Sequence, residues 1–314
     1  MSTAASSLID EQRFPQLAAL MRTQYERTPA HRAFLESRFS RASAEDFATL
    51  EELASQIRQI AGPRLGEICD GYDFICKIVR EEEIFFRRHG RYRLTTFEEA
   101  NRLVYGNTEY MGRYMDGLLL TQIYWSNHTA CYQFYRNVFL KQAPAGYDYL
   151  EIGPGHGLLL YQALKDERSG SVKGWDVSKA SIGQTWDALT IMGMSGKKPE
   201  LVLQDLYAVP DDSAKFDCLT FSEVLEHLED PKGALVKLRS LLKPAGRLFV
   251  NVPINSPAPD HLYLLRSPED AVDAVRAAGF EIERAEFFPM TNHTMEQARK
   301  HKLTISACII ARPN

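Results

Sequence analysis

The sequence predicts an α/β fold, with a seven-stranded, mostly parallel sheet in its second half and a helical first half. Three observations carry this. From Tyr147 onward, short apolar runs rich in β-formers alternate with helical segments, the signature of βαβ units. The first of these runs leads directly into three alternate glycines, Gly153, Gly155 and Gly157, and then into an apolar helix. Before Leu140 the apolar residues recur instead at three-and-four spacing.

In the first half, 44–60 places Phe47, Leu50, Leu53 and Ile57 on one helix face, and Gly62-Pro63 punctuates it. A second helix over 65–86 turns Ile68, Tyr72, Ile75, Ile78 and Val79 inward and ends at Gly90. Thr96 caps a further start with an acidic first turn, and 111–140 is long, apolar and aromatic. Strands are expected at 147–152, 172–176, 200–203, 216–221, 247–252, 281–288 and 304–311, with helices at 158–165, 178–192, 234–242 and 268–278. Only weak helical character (295–301) joins the last two strands, so an antiparallel final strand is expected. The division that follows is a helical lid and substrate-pocket domain at 1–140 and a cofactor-binding domain at 141–314.

Composition narrows the partners. Lysine plus arginine number 37 against 41 for aspartate plus glutamate, so the basic surplus of a nucleic-acid binder is missing. The longest apolar stretches, such as 117–120 and 308–311, are far too short to span a membrane. Residues 1–14 lack the basic start and apolar run of a secretory leader. The five cysteines show no metal-ligand spacing, and Cys69 and Cys76, seven apart, read as buried apolar residues of one helix face. An odd number without a framework fits a reducing, cytoplasmic setting.

The chemistry is concentrated at strand ends. In Tyr149-Leu-Glu151-Ile-Gly153-Pro-Gly155-His-Gly157, glycine permits positive φ and close approach of the backbone to a nucleoside ligand, a Rossmann-like arrangement. Glu151 would repel a pyrophosphate but suits a ligand carrying an ammonium and a sulfonium. Asp176, 25 residues later and followed by Val177 and Ser178, either accepts the two ribose hydroxyls or caps the next helix. Asp205 with Leu206 offers an acceptor and an apolar wall for adenine, or else a turn aspartate. The fourth strand opens into Ser222-Glu223-Val-Leu-Glu226-His227, at the carboxyl end where open α/β sheets place ligands.

Taken in order, Leu150-Glu-Ile-Gly-Pro-Gly-His-Gly, Asp176, Asp205, Phe216-Asp, Ser222-Glu-Val-Leu-Glu-His and Leu242-Lys-Pro-Ala-Gly resemble the class I methyltransferase superfamily over 147–313. The resemblance implies S-adenosylmethionine as cofactor. It further implies that residues ahead of the first strand cover its methionine end. That segment is dense in aromatics: Tyr105, Tyr110, Tyr114, Tyr124, Trp125, Tyr132 and Tyr135, with Asn127 and His128 among them. Aromatic faces attract a sulfonium by about 0.5–2 kcal/mol, although any single tyrosine here could equally pack on the sheet.

Catalytic candidates are His128, His261, Asn127 and Tyr124, with His227 and Glu223 in the cofactor shell and as further bases. His261 follows Asp260 in a proline-rich loop that either orients its ring or is merely fixed by it. No metal is expected. The implied activity is methyl transfer to a small molecule in specialised metabolism, with a homodimer as the candidate assembly. The alternative is intramolecular cyclisation of the cofactor, as in azetidine-2-carboxylate synthases, with release of methylthioadenosine. A non-catalytic domain is disfavoured by the intact set Glu151, Asp176 and Asp205.

Overall fold

The computed structural model describes residues 8–194, 196–210 and 213–314, so half of the stretch read for a leader lies outside the described residues. The first half forms helices α1 (Pro15–Arg27), α2 (Arg32–Phe39), α3 (Ala44–Ala61), α4 (Leu65–His89), α5 (Phe97–Ala100), α6 (Thr108–Tyr124) and α7 (Ser126–Phe134). Local chemistry sets their ends. Ser43 and Asp46 form a reciprocal capping box on α3, Thr96 caps α5, and Gly90 stops α4 in the left-handed region at φ 66°. Helices α1 and α2 give a poor sequence signal because their inward faces carry Gln24 and Arg38, both buried. Two turns of π-helix, Asn101–Tyr105 and Tyr135–Phe139, follow α5 and α7.

Helices α4 and α6 touch backbone to backbone. A Cβ added to Gly71 would lie 2.9 Å from the Arg113 carbonyl oxygen, and one added to Gly117 would lie 2.9 Å from Ile75 Cγ2. No side chain fits at this crossing.

The second half alternates β1 (Tyr147–Ile152), α8 (Leu158–Lys165), β2 (Ser169–Asp176), α9 (Lys179–Ile191), β3 (Glu200–Leu203), β4 (Phe216–Ser222), α10 (Pro231–Ser240), β5 (Leu242–Ile254), α11 (Pro268–Ala277), β6 (Phe280–Pro289), α12 (Met295–His301) and β7 (Ile305–Pro313). The seven strands form one sheet in the order β3-β2-β1-β4-β5-β7-β6. Pairing is parallel except for β7, which runs antiparallel to both β5 and β6. The α/β class, the mostly parallel seven-stranded sheet and the reversed last strand all match the sequence reading.

The differences are at boundaries. Asp230 accepts from Gly233 N at 2.9 Å and Pro231 begins α10, three residues before the expected start. β5 begins at Leu242 rather than Arg247, because Leu242 already pairs with Phe216, and residues 243–246 bulge out before pairing resumes with Arg247 opposite Cys218.

Side chains alternate across the sheet. Tyr147, Tyr149, Cys218, Phe249, Cys308 and Ile310 face the helices of the first half and share one apolar cluster with them. Leu150, Ile152, Leu219, Val250 and Ile309 face α10 and α11. The first half therefore packs directly on one sheet face. Among the described residues, all five cysteines are free thiols, and no helix is long and apolar enough to cross a membrane.

Candidate active site

The order of strands reverses between β1 and β4, and it is beyond the carboxyl ends at such a point that open α/β sheets place ligands. The glycine loop forms one wall. Gly153 and Gly155 hold φ of 67° and 52°, a region costly for any residue with a Cβ. At Gly153 a Cβ would meet Val224 Cγ2 at 2.8 Å, whereas at Gly155 it would project into open space. The Gly155 backbone is thus open to a ligand. Gly155→Ala is expected to cost the fold only about 1–2 kcal/mol, but to weaken S-adenosylmethionine binding by ~10-fold or more. Calorimetric titration beside a thermal melt checks both. His156, which sequence reasoning passed over, hydrogen-bonds to the Met115 backbone of α6, and burial lowers its pKa to about 4. This neutral imidazole ties the helical half to the loop.

Behind the loop lies a directed hydrogen-bond chain. Tyr149 donates to Glu151 Oε2 at 3.0 Å, so its oxygen is left to accept from Tyr135, 2.7 Å away. The π turn at Tyr135–Phe139 supplies this contact and seats Tyr135 and Phe139 on Phe249, each with ring centroids 5.4 Å from it. Glu151 is 3% exposed, and burial pushes its carboxyl up to about 8, partly offset by the Tyr149 hydroxyl. A buried acid with so little compensation suits a cationic ligand. Alternation along β1 puts Tyr149 and Glu151 on one face, which was a readable signal; the arrival of Tyr135 was not.

Asp176 and Asp205 stand at the ends of adjacent strands, joined where Gln204 N donates to the Asp176 carbonyl at 2.8 Å. Asp176 accepts from Ser178 N and from the Ser181 hydroxyl, each at 2.8 Å, and Ser178 caps α9. Asp205 accepts from Tyr207 N at 2.9 Å, ahead of a short 3-10 turn, and Leu206 is buried. Both aspartates make the local caps that were the plainer reading, and their oxygens retain lone pairs for a ligand. Val177, between strand and helix, is 65% exposed beside them.

Beyond β4, Glu223 adopts φ 54°. Its amide donates to the Asn251 carbonyl at 2.8 Å, and Asn251 Nδ2 donates to Ser222 Oγ at 3.1 Å. The following 3-10 turn, Leu225–His227, is fastened to the 255–263 loop by Leu262 N and Tyr263 N, which donate to the Glu226 carbonyl at 2.8 and 2.9 Å. That fastening brings His261 beside His227, ring centroids 5.0 Å apart. Tyr105 donates to Asp260 Oδ2 at 3.2 Å and Tyr114 to Asp260 Oδ1 at 3.3 Å, so two tyrosines of the first half close over this end. Burial and the neighbouring His227 lower the His261 pKa to about 4, leaving it neutral near pH 7.

The remaining candidates are not brought to this crevice edge. Tyr124 is fully buried among the first-half helices, its ring 4.7 Å from that of Tyr72. His128 contacts the Thr121 hydroxyl at 3.0 Å and the Trp125 ring at 5.0 Å, and burial lowers its pKa to about 4. Asn127 donates to Ser306 Oγ at 3.0 Å and lines a cavity of about 270 Å³ with Arg38, Arg41 and His293. These three came from the aromatic segment ahead of β1, and here their side chains make contacts within the helical half and with β7.

A glycine loop, a buried acid behind it and aspartates on the next two strand ends thus stand together at the point where the strand order reverses. A family model described as a methyltransferase domain matches residues 124–294, more than half of the chain. The chain belongs to that family, and its cofactor is S-adenosylmethionine. It is 31% identical over 122 residues to an uncharacterized 37.1 kDa protein in transposon TN4556 of Streptomyces fradiae, covering 38% of this chain and 34% of that protein. It is also 31% identical over 108 residues to the ubiquinone biosynthesis O-methyltransferase of Marinobacter nauticus, covering 34% of this chain and 44% of that enzyme. The chain thus spans about a third to a half of the length of these curated relatives. Among solved structures, the cyclase SpnF superposes with a TM-score of 0.47 at 20% identity, covering 57% of this chain and 79% of that one.

Proposed function

We propose that this chain transfers the methyl group of S-adenosylmethionine to a small-molecule acceptor in specialised metabolism. The observation that carries the reading is Glu151, a buried carboxyl on the chain Tyr135–Tyr149–Glu151, set directly behind a glycine loop with open backbone at Gly155. When bound, the cofactor supplies a sulfonium-activated methyl carbon.

The chain's own residues bind and orient. Gly153, Gly155 and Gly157 admit the ligand to the backbone, and Glu151 holds its ammonium. Asp176 accepts the ribose hydroxyls, Asp205 the adenine amine, and Val177 and Leu206 flank the ring. Ser222, Glu223 and His227 form the shell at the end of β4, where Tyr105 and Tyr114 exclude water and His261 faces the acceptor. Alignment and dehydration of the reacting partners account for most of the rate. Tyr124 and His128 support the helical half, and Asn127 anchors it to β7. The helical half at 1–140 supplies the acceptor's cover, in a water-filled cell compartment such as the cytoplasm.

Mass spectrometry of products tests this reading. S-adenosylhomocysteine formed only with an acceptor supports it. Methylthioadenosine and azetidine-2-carboxylate formed from enzyme and cofactor alone would overturn it in favour of intramolecular displacement.

A further inference from the structure

Beyond the β4 end, two imidazoles and one carboxyl group face one another with no hydrogen bond among them. His261 Nδ1 lies 2.6 Å from the Ser256 carbonyl, so this nitrogen carries the proton and donates it. His227 Nδ1 lies 3.1 Å from the Asp260 carbonyl and donates likewise. Both rings therefore keep a bare lone pair on Nε2. Both Nε2 atoms face the same carboxylate oxygen, Glu226 Oε1, at 3.8 Å from His227 and 4.0 Å from His261. Glu226 is 0% exposed, and neither of its oxygens has a hydrogen-bond partner among the described residues. A proton on the carboxyl would not bridge these gaps, which exceed hydrogen-bond reach.

The geometry points to a divalent transition-metal site formed by Glu226, His227 and His261. Their ligand atoms lie within 4.8 Å of one another, and two ligands ~2.1 Å from one tetrahedral ion stand ~3.4 Å apart, so a small inward movement closes the site. The surroundings fit ligation as well. Each imidazole gives its far N–H to a backbone carbonyl, the outer-shell arrangement that fixes tautomer and ring plane in metal sites. Tyr105 extends the shell on the His227 side, its hydroxyl 3.3 Å from His227 Nδ1 while it donates to Asp260. The His227 side chain remains 24% exposed and gives an entry path.

Two imidazoles and one carboxylate favour Zn²⁺, Co²⁺ or Fe²⁺ over Mg²⁺, and leave positions open for oxygen ligands. Water would take them in the resting protein. An acceptor hydroxyl would take one during turnover, and only this role rests on the methyltransferase reading. Expected metal independence came from chain spacing, and His261 lies 34 residues beyond His227.

The test is titration of the EDTA-treated full chain with Co²⁺, followed by visible absorption, with equilibrium dialysis of Zn²⁺ in parallel. One equivalent with d–d bands of nitrogen and oxygen ligation is expected. Glu226→Gln and His261→Gln should each weaken binding by ~100-fold or more, while the exposed His301→Gln leaves it unchanged. Thermal melts and S-adenosylmethionine titration report whether each variant is folded. Less than one equivalent bound at ~100 μM Co²⁺, or undiminished binding by both folded variants, overturns the site. Should the variants not fold, the wild-type stoichiometry and spectrum decide alone. Metal binding by a chain that releases methylthioadenosine from S-adenosylmethionine alone would leave the site standing and sink the methyl-transfer reading instead.

Discussion

At pH 8, Glu151→Gln is expected to bind S-adenosylmethionine ~10–100-fold more weakly while making the empty protein more stable. The two effects share one cause. Glu151 is buried, and its carboxyl is pushed up to about 8 by desolvation. In the unfolded chain it ionises in the ordinary carboxyl range, so folding without ligand retains a proton between those limits. Stability from this group is full below the unfolded pKa and is lost as pH rises through the folded value, by on the order of a few kcal/mol. Glutamine removes that loss and can still accept from Tyr149.

The ligand reverses the sign. An ammonium favours the carboxylate, so binding below pH 8 expels a proton, and affinity should climb by up to ~10-fold per pH unit toward 8, then level. Calorimetry in buffers of differing ionisation enthalpy measures the released proton; thermal melts of the empty proteins across pH measure the other half. A variant that loses affinity without gaining stability, or that retains the wild-type pH slope, would contradict this assignment.

The second large effect is structural. Gly117→Leu should destabilise the chain by about 3 kcal/mol or more, lowering Tm by roughly 2–4 °C for each kcal/mol. At this crossing the backbones of α4 and α6 are in contact, and a side chain has nowhere to turn except into Gly71 and Ile75. Separation of the helices also displaces Met115, the backbone partner of His156 in the glycine loop. Cofactor affinity should therefore fall with stability, whereas Gly112→Leu, where a Cβ meets open space, should alter neither. Denaturant unfolding and cofactor titration of the two variants separate the outcomes.

What the sequence disclosed was local. Strand alternation and the glycine loop are encoded in consecutive residues, so β1, α8 and the acids at 151, 176 and 205 could be placed with near-correct bounds. The reversed final strand followed from the weak connection before it. Interactions that depend on the chain returning to itself were not legible. His261 reaches Glu226 only because two loop amides clasp the Glu226 carbonyl. Tyr135 reaches Glu151 only through Tyr149, across a helix–sheet interface that no spacing announces. Helices α1 and α2 were passed over because Gln24 and Arg38 interrupt their buried faces.

The two π turns give these long-range contacts a common mechanical basis. A helix advances about 100° per residue, and a π turn accommodates one residue more than the α-helical turn it replaces. Tyr105 closes one such turn and Tyr135 opens the other. Each tyrosine is thereby aimed by an angular offset rather than by helix length. A single-residue deletion in either turn would leave the helices nearly as long, yet swing a hydroxyl about a quarter-revolution from its target, so length variation at these two points can retune the crevice while the sheet stays as it is.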